Sequence, residues 1–425
     1  MVKNTCIIYA PIDSYSGYSS DARDKVRAFI ELKKEVWDIK IIVCDWGTTP
    51  RGFLTDNEEE WGWMKDYITR DPIKTQPDYM IWITIPTEAA AVGRYNILIT
   101  AGIETTLCDG SWIEGLNKMD MNIVPSNHSK NVFQNLIFEK QDQNNNSLGQ
   151  LKLEKPVHVV FEGSNTDIFY PIQNANKDIF DLENIKENFC FLFNSVWIGN
   201  SLMNDRKHLG LLIKLFYETF KNISNPPALI LKTSMGTSSY MSKDEILKRI
   251  KIIRKTIEYK TLPNIYILNG NITDEDMNNL YNHPKVKAMV NLTHGEGFGR
   301  SLLEFSLVNK PIITTNWSGQ TDFLDSSLTT LLPGKLQPVH SSAVNQWILK
   351  DSKWFEVDQK TASYAMNDMF INYKKYQQKA IKQGYKNRNT FSYEKMKELM
   401  DKLLKDIPSF AAYQPIVLPK LKKIE

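Results

Sequence analysis

Two successive α/β domains built on parallel sheets are predicted for this chain by three observations. Its 425 residues exceed one ordinary domain of roughly 100–200 residues. Short β-rich runs alternate with helix-patterned segments through the first 160 residues, and a second alternating series begins near residue 189. Between the two series, residues 161–188 carry no clear period and read as a junction. The expected architecture is therefore a pair of Rossmann-like domains.

In the first series Thr5 to Ala10 reads as a strand, Ala22 to Glu35 as a helix and Ile39 to Cys44 as a second strand, which is the βαβ pattern of a parallel sheet. Tyr79 to Ile85, Asn96 to Ala101, Met121 to Val124 and Val157 to Phe161 follow as strands. Glu139 to Lys155, with Gln-Asp-Gln-Asn-Asn-Asn at its centre, has no apolar period and reads as a surface loop or insertion. Trp61, Trp63 and Tyr67 read as a helical core stripe, with stacking on a sugar or base as the alternative.

The second series runs strand Phe189 to Val196, helix Lys207 to Lys221, strand Ala228 to Lys232, helix Lys243 to Glu258 and strand Asn264 to Leu268. It continues with helix Asp274 to Asn282, strand Val286 to Leu292, helix Phe298 to Val308 and strand Pro311 to Thr315. Thr273 is placed to cap the helix at Asp276, so Asp274-Glu275-Asp276 is read as a first turn rich in acids rather than as a metal-binding D-x-D. Tyr393 to Leu404 has apolar residues at helical spacing, and the tail after Pro408 carries Lys420, Lys422 and Lys423 as a solvated terminus.

Lys plus Arg number 52 and Asp plus Glu 49, a net charge of +3, so no strongly basic nucleic-acid-binding domain is demanded, although a local patch is compatible with it. Cys6, Cys44, Cys108 and Cys190 lack C-x-x-C spacing and are read as buried free thiols of a reducing compartment. No signal-like or membrane-length apolar run occurs, which predicts a soluble cytoplasmic protein. The histidines show neither H-x-H nor H-E-x-x-H spacing, and no metal and no cofactor are expected.

The most informative stretch follows Val290. A strand ends near Leu292, a loop carries Gly295, Gly297 and Gly299, and a helix begins near Phe298 or Gly299. Strand, glycine loop and helix in that order bring free backbone N–H groups and the positive end of a helix dipole to the carboxyl edge of a sheet, which makes an anion site. The dinucleotide fingerprint G-x-G-x-x-G fails, because Arg300 stands where the third glycine belongs. Glu296 and Glu304 suit a polyhydroxylated ligand that carries a diphosphate: carboxylates accept hydroxyl hydrogen bonds while amides hold the anion.

The string Gly295-Glu296-Gly297-Phe298-Gly299-Arg300-Ser301-Leu302-Leu303-Glu304 resembles the E-x7-E motif of the retaining GT-B glycosyltransferases of family four. Asn269-Gly270-Asn271-Ile272 resembles that family's glycine turn, Pro125-Ser126 with Ser129 and Phe133 the element ending its N-terminal domain, and Phe161 to Pro171 its interdomain crossing. The resemblance implies a GT-B fold: residues 1–165 as an acceptor domain, 166–390 as a nucleotide-sugar domain, and 391–425 as a helix crossing back with its tail.

It further implies transfer of a sugar from a nucleoside diphosphate sugar with retention. Glu296 would face the sugar hydroxyls, Glu304 the ribose, and Lys207 the departing diphosphate, which lies over Gly297, Phe298, Gly299 and Arg300. Gly17 fits the family's first glycine loop, and Asn269 and Ile272 are placed on the donor side; His294, just ahead of the glycine loop, reads either as a donor to the sugar or as a satisfied structural histidine. Where the family has an arginine after a glycine, this chain reads Asn194-Ser195-Val196-Trp197, so the second cation is left between Arg206 and Lys232. The family's N-terminal-domain histidine is missing too, and Glu104 is the nearest candidate there.

Pro86 to Asn96 and Thr100 to Thr106 look most like glycosyltransferases encoded by large tailed phages, which would place the protein in a host cytoplasm. The acceptor stays open between a hydroxymethylated base of phage DNA, reached by base flipping, and a saccharide, lipid headgroup or protein. A sugar-nucleotide epimerase and a non-catalytic nucleotide-sugar binder are the rival readings.

Overall fold

The computed structural model describes residues 3–141, 147–176, 178–199, 201–237 and 239–411, so Lys420, Lys422 and Lys423 lie outside the described residues. In the first half, β1 (Asn4–Ala10), α1 (Gly17–Lys33) and β2 (Trp37–Val43) are followed by two single-turn helices, α2 (Phe53–Asp56) and α3 (Glu58–Trp61). Then come β3 (Tyr79–Ile83), β4 (Tyr95–Ile99), α4 (Gly110–Asn117), β5 (Met121–Val124), α5 (Asn127–Asn135), β6 (Ile137–Gln141), β7 (Ser147–Lys152) and β8 (Val157–Val159). Six of these strands form one parallel sheet in the order β2-β1-β3-β4-β5-β8. Central parallel strands are covered on both faces and read as apolar runs, which is why β3 (YMIWI) and β5 (MNIV) are buried almost throughout.

Helix α1 starts five residues ahead of the predicted Ala22. Its apolar period is visible only from Ala22, but Ser16 caps an earlier polar turn by accepting the Ser19 N–H at 3.0 Å. Glu139 to Lys155 is a correction: most of it is the antiparallel hairpin β6–β7 rather than a loop. Partly buried Phe138 and buried Leu151, paired across the hairpin, anchor it on the cluster around Trp112. One anchor per strand leaves no period to read in the sequence.

The second half contains β9 (Cys190–Asn194), α6 (Leu209–Phe220), β10 (Ala228–Lys232), α7 (Tyr240–Lys255), β11 (Ile265–Leu268), α8 (Asp274–Asn282), β12 (Val286–Asn291), α9 (Arg300–Leu307), β13 (Ile312–Thr315) and β14 (Thr330–Leu332). Its parallel sheet runs β11-β10-β9-β12-β13-β14, the 3-2-1-4-5-6 order of a dinucleotide-type Rossmann sheet. The first sheet instead has the flavodoxin-like 2-1-3-4-5 order extended by one strand. Thr273 does cap α8, accepting the Asp276 N–H at 3.2 Å.

Beyond β14 the sequence predicts nothing before residue 393, yet the chain forms the hairpin β15 (Gly334–Pro338) with β16 (Lys353–Val357), then α10 (Gln359–Ile371) and α11 (Tyr373–Thr390). The last helix, α12 (Tyr393–Lys405), crosses back to the first domain. Its Tyr393, Met396, Met400 and Leu404 join the core that contains Val26, Phe29 and Ile41. The two chain crossings run side by side: Ser164 N–H donates to the Phe391 carbonyl at 3.1 Å and Tyr393 N–H to the Ser164 carbonyl at 2.9 Å. Gly163 permits this, since a Cβ there would stand 2.8 Å from the Tyr393 Cα. No helix is long and apolar enough to cross a membrane among the described residues, and the four cysteines are buried and free.

The aromatic stripe divides. Trp61 is core and Tyr67 packs against it, but Trp63 is 37% exposed. Only Trp61 belongs to an α-helix; Gly62–Tyr67 is a tight 3-10 segment whose period turns Trp63 away from the core.

Candidate active site

Strand order reverses between β9 and β12 in the second sheet and between β1 and β3 in the first, and the loops leaving the carboxyl ends of such strands form ligand crevices. Four charged side chains converge there. Lys207 and Arg206 come from the turn before α6, Glu296 from the glycine loop after β12, and Glu104 from the first domain's loop after β4. Lys207 does not lie on the helix as predicted: His208, at φ 54, caps α6, and Lys207 precedes that cap.

Lys207 Nζ donates to both carboxylate oxygens of Glu296, at 2.7 and 2.5 Å. Arg206 Nη1 pairs with Glu104 Oε1 at 2.6 Å, lies 3.8 Å from Glu296 Oε2 and donates to the Gly295 carbonyl at 3.3 Å. Burial raises the Glu296 carboxyl, but the adjacent Lys207 and Arg206 outweigh it and hold the group below the usual carboxylate range. For Glu104 burial wins over the same two cations, and its carboxyl is raised. Two cations and two carboxylates thus neutralise one another at the point where the domains meet.

The backbone around Glu296 is locked. Its N–H donates to Ser318 Oγ at 2.9 Å, its carbonyl accepts the Gly319 N–H at 3.0 Å, and Asn291 Nδ2 reaches its Oε1 at 3.5 Å. Gly299, at φ 103, opens α9 in a conformation that side-chain-bearing residues avoid. The turn from Gly297 to Arg300 leads into the first N–H groups of α9, which have no partner within the helix.

Glu304 lies one turn into α9. Arg300 Nε donates to its Oε1 at 2.9 Å, while Arg300 Nη1 reaches Asp24 of α1 at 2.7 Å, so a partly buried acid–arginine–acid chain ties the two domains. Burial pushes Glu304 up to about 7; Arg300 opposes the rise and Asp274 adds to it. Arg300, expected beside a diphosphate, is thus already engaged by two carboxylates. Lys232, at the end of β10, has no carboxylate partner among the described residues, and burial lowers its ammonium pKa. Asn269 is held by a bond from its Nδ2 to the Thr233 carbonyl at 2.9 Å, and Ile272 packs against the core beneath α9. Gly17 opens α1 with empty space where a Cβ would stand.

The domains touch backbone to backbone. A Cβ on Gly295 would stand 2.1 Å from the Glu104 carbonyl oxygen, and one on Gly102 would stand 2.4 Å from the Gly297 Cα. Ser126 Oγ donates to the Gly297 carbonyl at 2.6 Å, and Asp322 accepts the Asn127 N–H at 2.8 Å. Gly102, Asp24 and Ser318 were not singled out by sequence reasoning. For Gly102 a signal exists, a lone glycine at the carboxyl end of a strand; for Asp24 and Ser318 none does.

His294 adjoins this cluster, its backbone N–H donating to the Arg206 carbonyl at 2.9 Å. Its ring is buried between Trp354, stacked at 3.8 Å, and His208, stacked at 3.9 Å, and Nδ1 bonds the Phe355 carbonyl at 2.8 Å. His208, His294 and Glu356 bring potential metal-ligand atoms within 4.8 Å of one another. Stacked imidazoles, however, aim their in-plane lone pairs alongside each other rather than at one point, and the Phe355 carbonyl occupies Nδ1. The two rings and Trp354 pack as one stack.

Burial depresses His294 from 6.5 to about 4. The unfolded chain therefore takes up the extra proton first, and stability present above the unfolded pKa is lost as pH falls. Between pH 7 and pH 5 this group's share of the loss is about 2 kcal/mol. In urea denaturation, His294→Phe, which keeps the stacking, should reduce the pH 7-to-5 loss by that amount; an unchanged loss refutes the assignment.

No protein-family model and no curated protein matches the chain. Solved structures do match along its length. HepE from Anabaena, in complex with UDP-glucose, is 12% identical with a TM-score of 0.63, covering 95% of this chain and all of HepE. Sucrose-phosphate synthase from Thermosynechococcus elongatus is 11% identical with a TM-score of 0.59, covering 95% of this chain and 98% of its own. The α,α-trehalose 6-phosphate synthase from Burkholderia multivorans is 8% identical, also at a TM-score of 0.59, over 95% and 98%. Likeness at such identities concerns the fold: two facing Rossmann-like domains of the GT-B type.

Proposed function

We propose that this chain is a retaining glycosyltransferase that moves a sugar from a nucleoside diphosphate sugar to an acceptor hydroxyl, without a metal. The observation that carries the reading is the Lys207–Glu296 pair beside Arg206, set on a glycine turn at the strand-order reversal. A diphosphate arriving over Gly297 to Arg300 exchanges for the carboxylates on Lys207 and Arg206. Glu296 is then free to accept from sugar hydroxyls and Glu304 from the ribose. As the bond from the anomeric carbon to the β-phosphate oxygen breaks, the two cations balance the charge that develops on the departing diphosphate. The acceptor oxygen bonds the same face of the sugar and its proton passes to the departing phosphate, so no side-chain nucleophile is required.

UDP-glucose in the HepE complex makes that donor the first probe. Incubation with UDP-glucose and an acceptor panel that includes hydroxymethylated DNA, with the product anomer read by proton NMR, should give an α-linked product. A β-linked product overturns retention, an epimerised donor without transfer supports the epimerase, and binding of UDP without turnover by any acceptor supports the non-catalytic binder. The buried free cysteines fit a reducing cytoplasm.

A further inference from the structure

A groove of about 480 Å³ lies outside the charged cluster, between α1 and the Glu58–Tyr67 segment. Arg27, Glu31 and Lys34 line one wall, Glu60, Trp63 and Tyr67 the other, and Asn165 of the interdomain crossing closes it. The Arg27–Lys34 stretch lies about 15–25 Å along α1 from Gly17, at about 1.5 Å per residue. A ligand here does not present the hydroxyl that reacts.

We propose that this groove binds a distal stretch of a neutral glycan chain and so makes a polysaccharide or long oligosaccharide the acceptor. The exposed Trp63, edge-on to Tyr67 at 6.2 Å, offers an aromatic face for the C–H side of a sugar ring. Opposite it stand hydrogen-bonding groups of fixed geometry. Arg27 Nε donates to Glu31 at 2.8 Å, and Glu31 also accepts from Lys397 at 2.8 Å and from the Tyr393 hydroxyl at 3.1 Å. Burial, reinforced by Asp274 and Glu275, raises Glu60 to about 7, so near neutrality this carboxyl both donates to and accepts from a hydroxyl.

The lining also discriminates against other ligands. Glu31 and Glu60 stand among Arg27 and Lys34, a mixed set and not the basic stripe that a polyanion requires, which disfavours nucleic acid. The guanidinium and carboxylates of the walls disfavour an acyl chain, which would strip water from them and offer no hydrogen bond in return. A neutral polyhydroxylated chain matches both the aromatic face and the polar walls.

The substrate class rests on the proposed transferase; the binding itself does not. Calorimetry on the full chain with maltohexaose, cellohexaose and chitohexaose, and with a short DNA duplex, should show binding of at least one hexasaccharide. Its affinity should fall about tenfold in Trp63→Ala, recover in part in Trp63→Phe, and leave the thermal shift given by UDP unchanged. Failure of all three hexasaccharides to bind, equal affinity in Trp63→Ala, or a Trp63-dependent affinity for DNA each overturns the inference. UDP-glucose turnover in a protein whose groove binds no glycan removes this inference alone. Glycan binding without any donor turnover removes the transferase alone.

Discussion

Lys207→Ala should lower sugar transfer by about 10²–10³-fold, the usual consequence of removing one group that stabilises developing charge in a water-poor site. The same substitution strands Glu296, a carboxylate whose side chain is 8% exposed, without its closest partner. Breaking a buried pair ordinarily costs about 3–5 kcal/mol. Arg206, 3.8 Å away, still faces Glu296, so a loss near about 3 kcal/mol in urea denaturation is expected. The two effects separate in the double variant Lys207→Met with Glu296→Leu. Stability should recover, because no charge is left unpaired, while transfer stays as low as in either single variant. Recovery of activity together with stability would mean that the pair serves the fold only. UDP should still raise the melting temperature of Lys207→Met, because the amides at the start of α9 remain, but by less than in the wild type.

Gly102→Ala should lower kcat/KM by about 10²-fold while leaving each domain folded. Its new Cβ would stand 2.4 Å from the Gly297 Cα. Neither loop has slack: the Ile103 N–H donates to Ser129 Oγ at 2.9 Å on one side, and Glu296 is pinned by Ser318 and Gly319 on the other. The domains can relieve the clash only by parting. A shift of about 1 Å between reacting groups is enough for a loss of that size. Small-angle scattering should show a larger radius for the variant, in the presence of UDP as well. A rate drop with unchanged dimensions would point to local damage around Glu104 instead, and wild-type rates would show that closure at Gly102 and Gly297 is not needed.

Both expectations concern residues that the sequence presents very differently. Glu296 was legible because Gly295, Gly297 and Gly299 surround it between a strand and a helix, a local pattern with one conformational meaning. Lys207 was legible only through its resemblance to a family pattern; its position before the cap of α6 depends on the left-handed His208, which no propensity predicts. Glu104 came from the place where a histidine was missing, and its pairing with Arg206 joins two loops that no short-range rule connects. Arg300 shows the limit most clearly. As a residue in a glycine loop it reads as an anion binder, yet the fold brings Asp24 of another domain within 2.7 Å of it.

The sequence by itself determined the two parallel sheets and the strand–loop–helix at the site. Buried parallel strands are apolar runs, and helix caps and glycine turns are set by neighbours a few residues away. Only the tertiary structure decided which charges neutralise which, that the domains meet through Gly102 and Gly297, and that Trp63 lines a groove while Trp61 lies in the core. Those outcomes depend on distances between segments far apart in the chain, where burial, close approach and charge pairing are settled by packing.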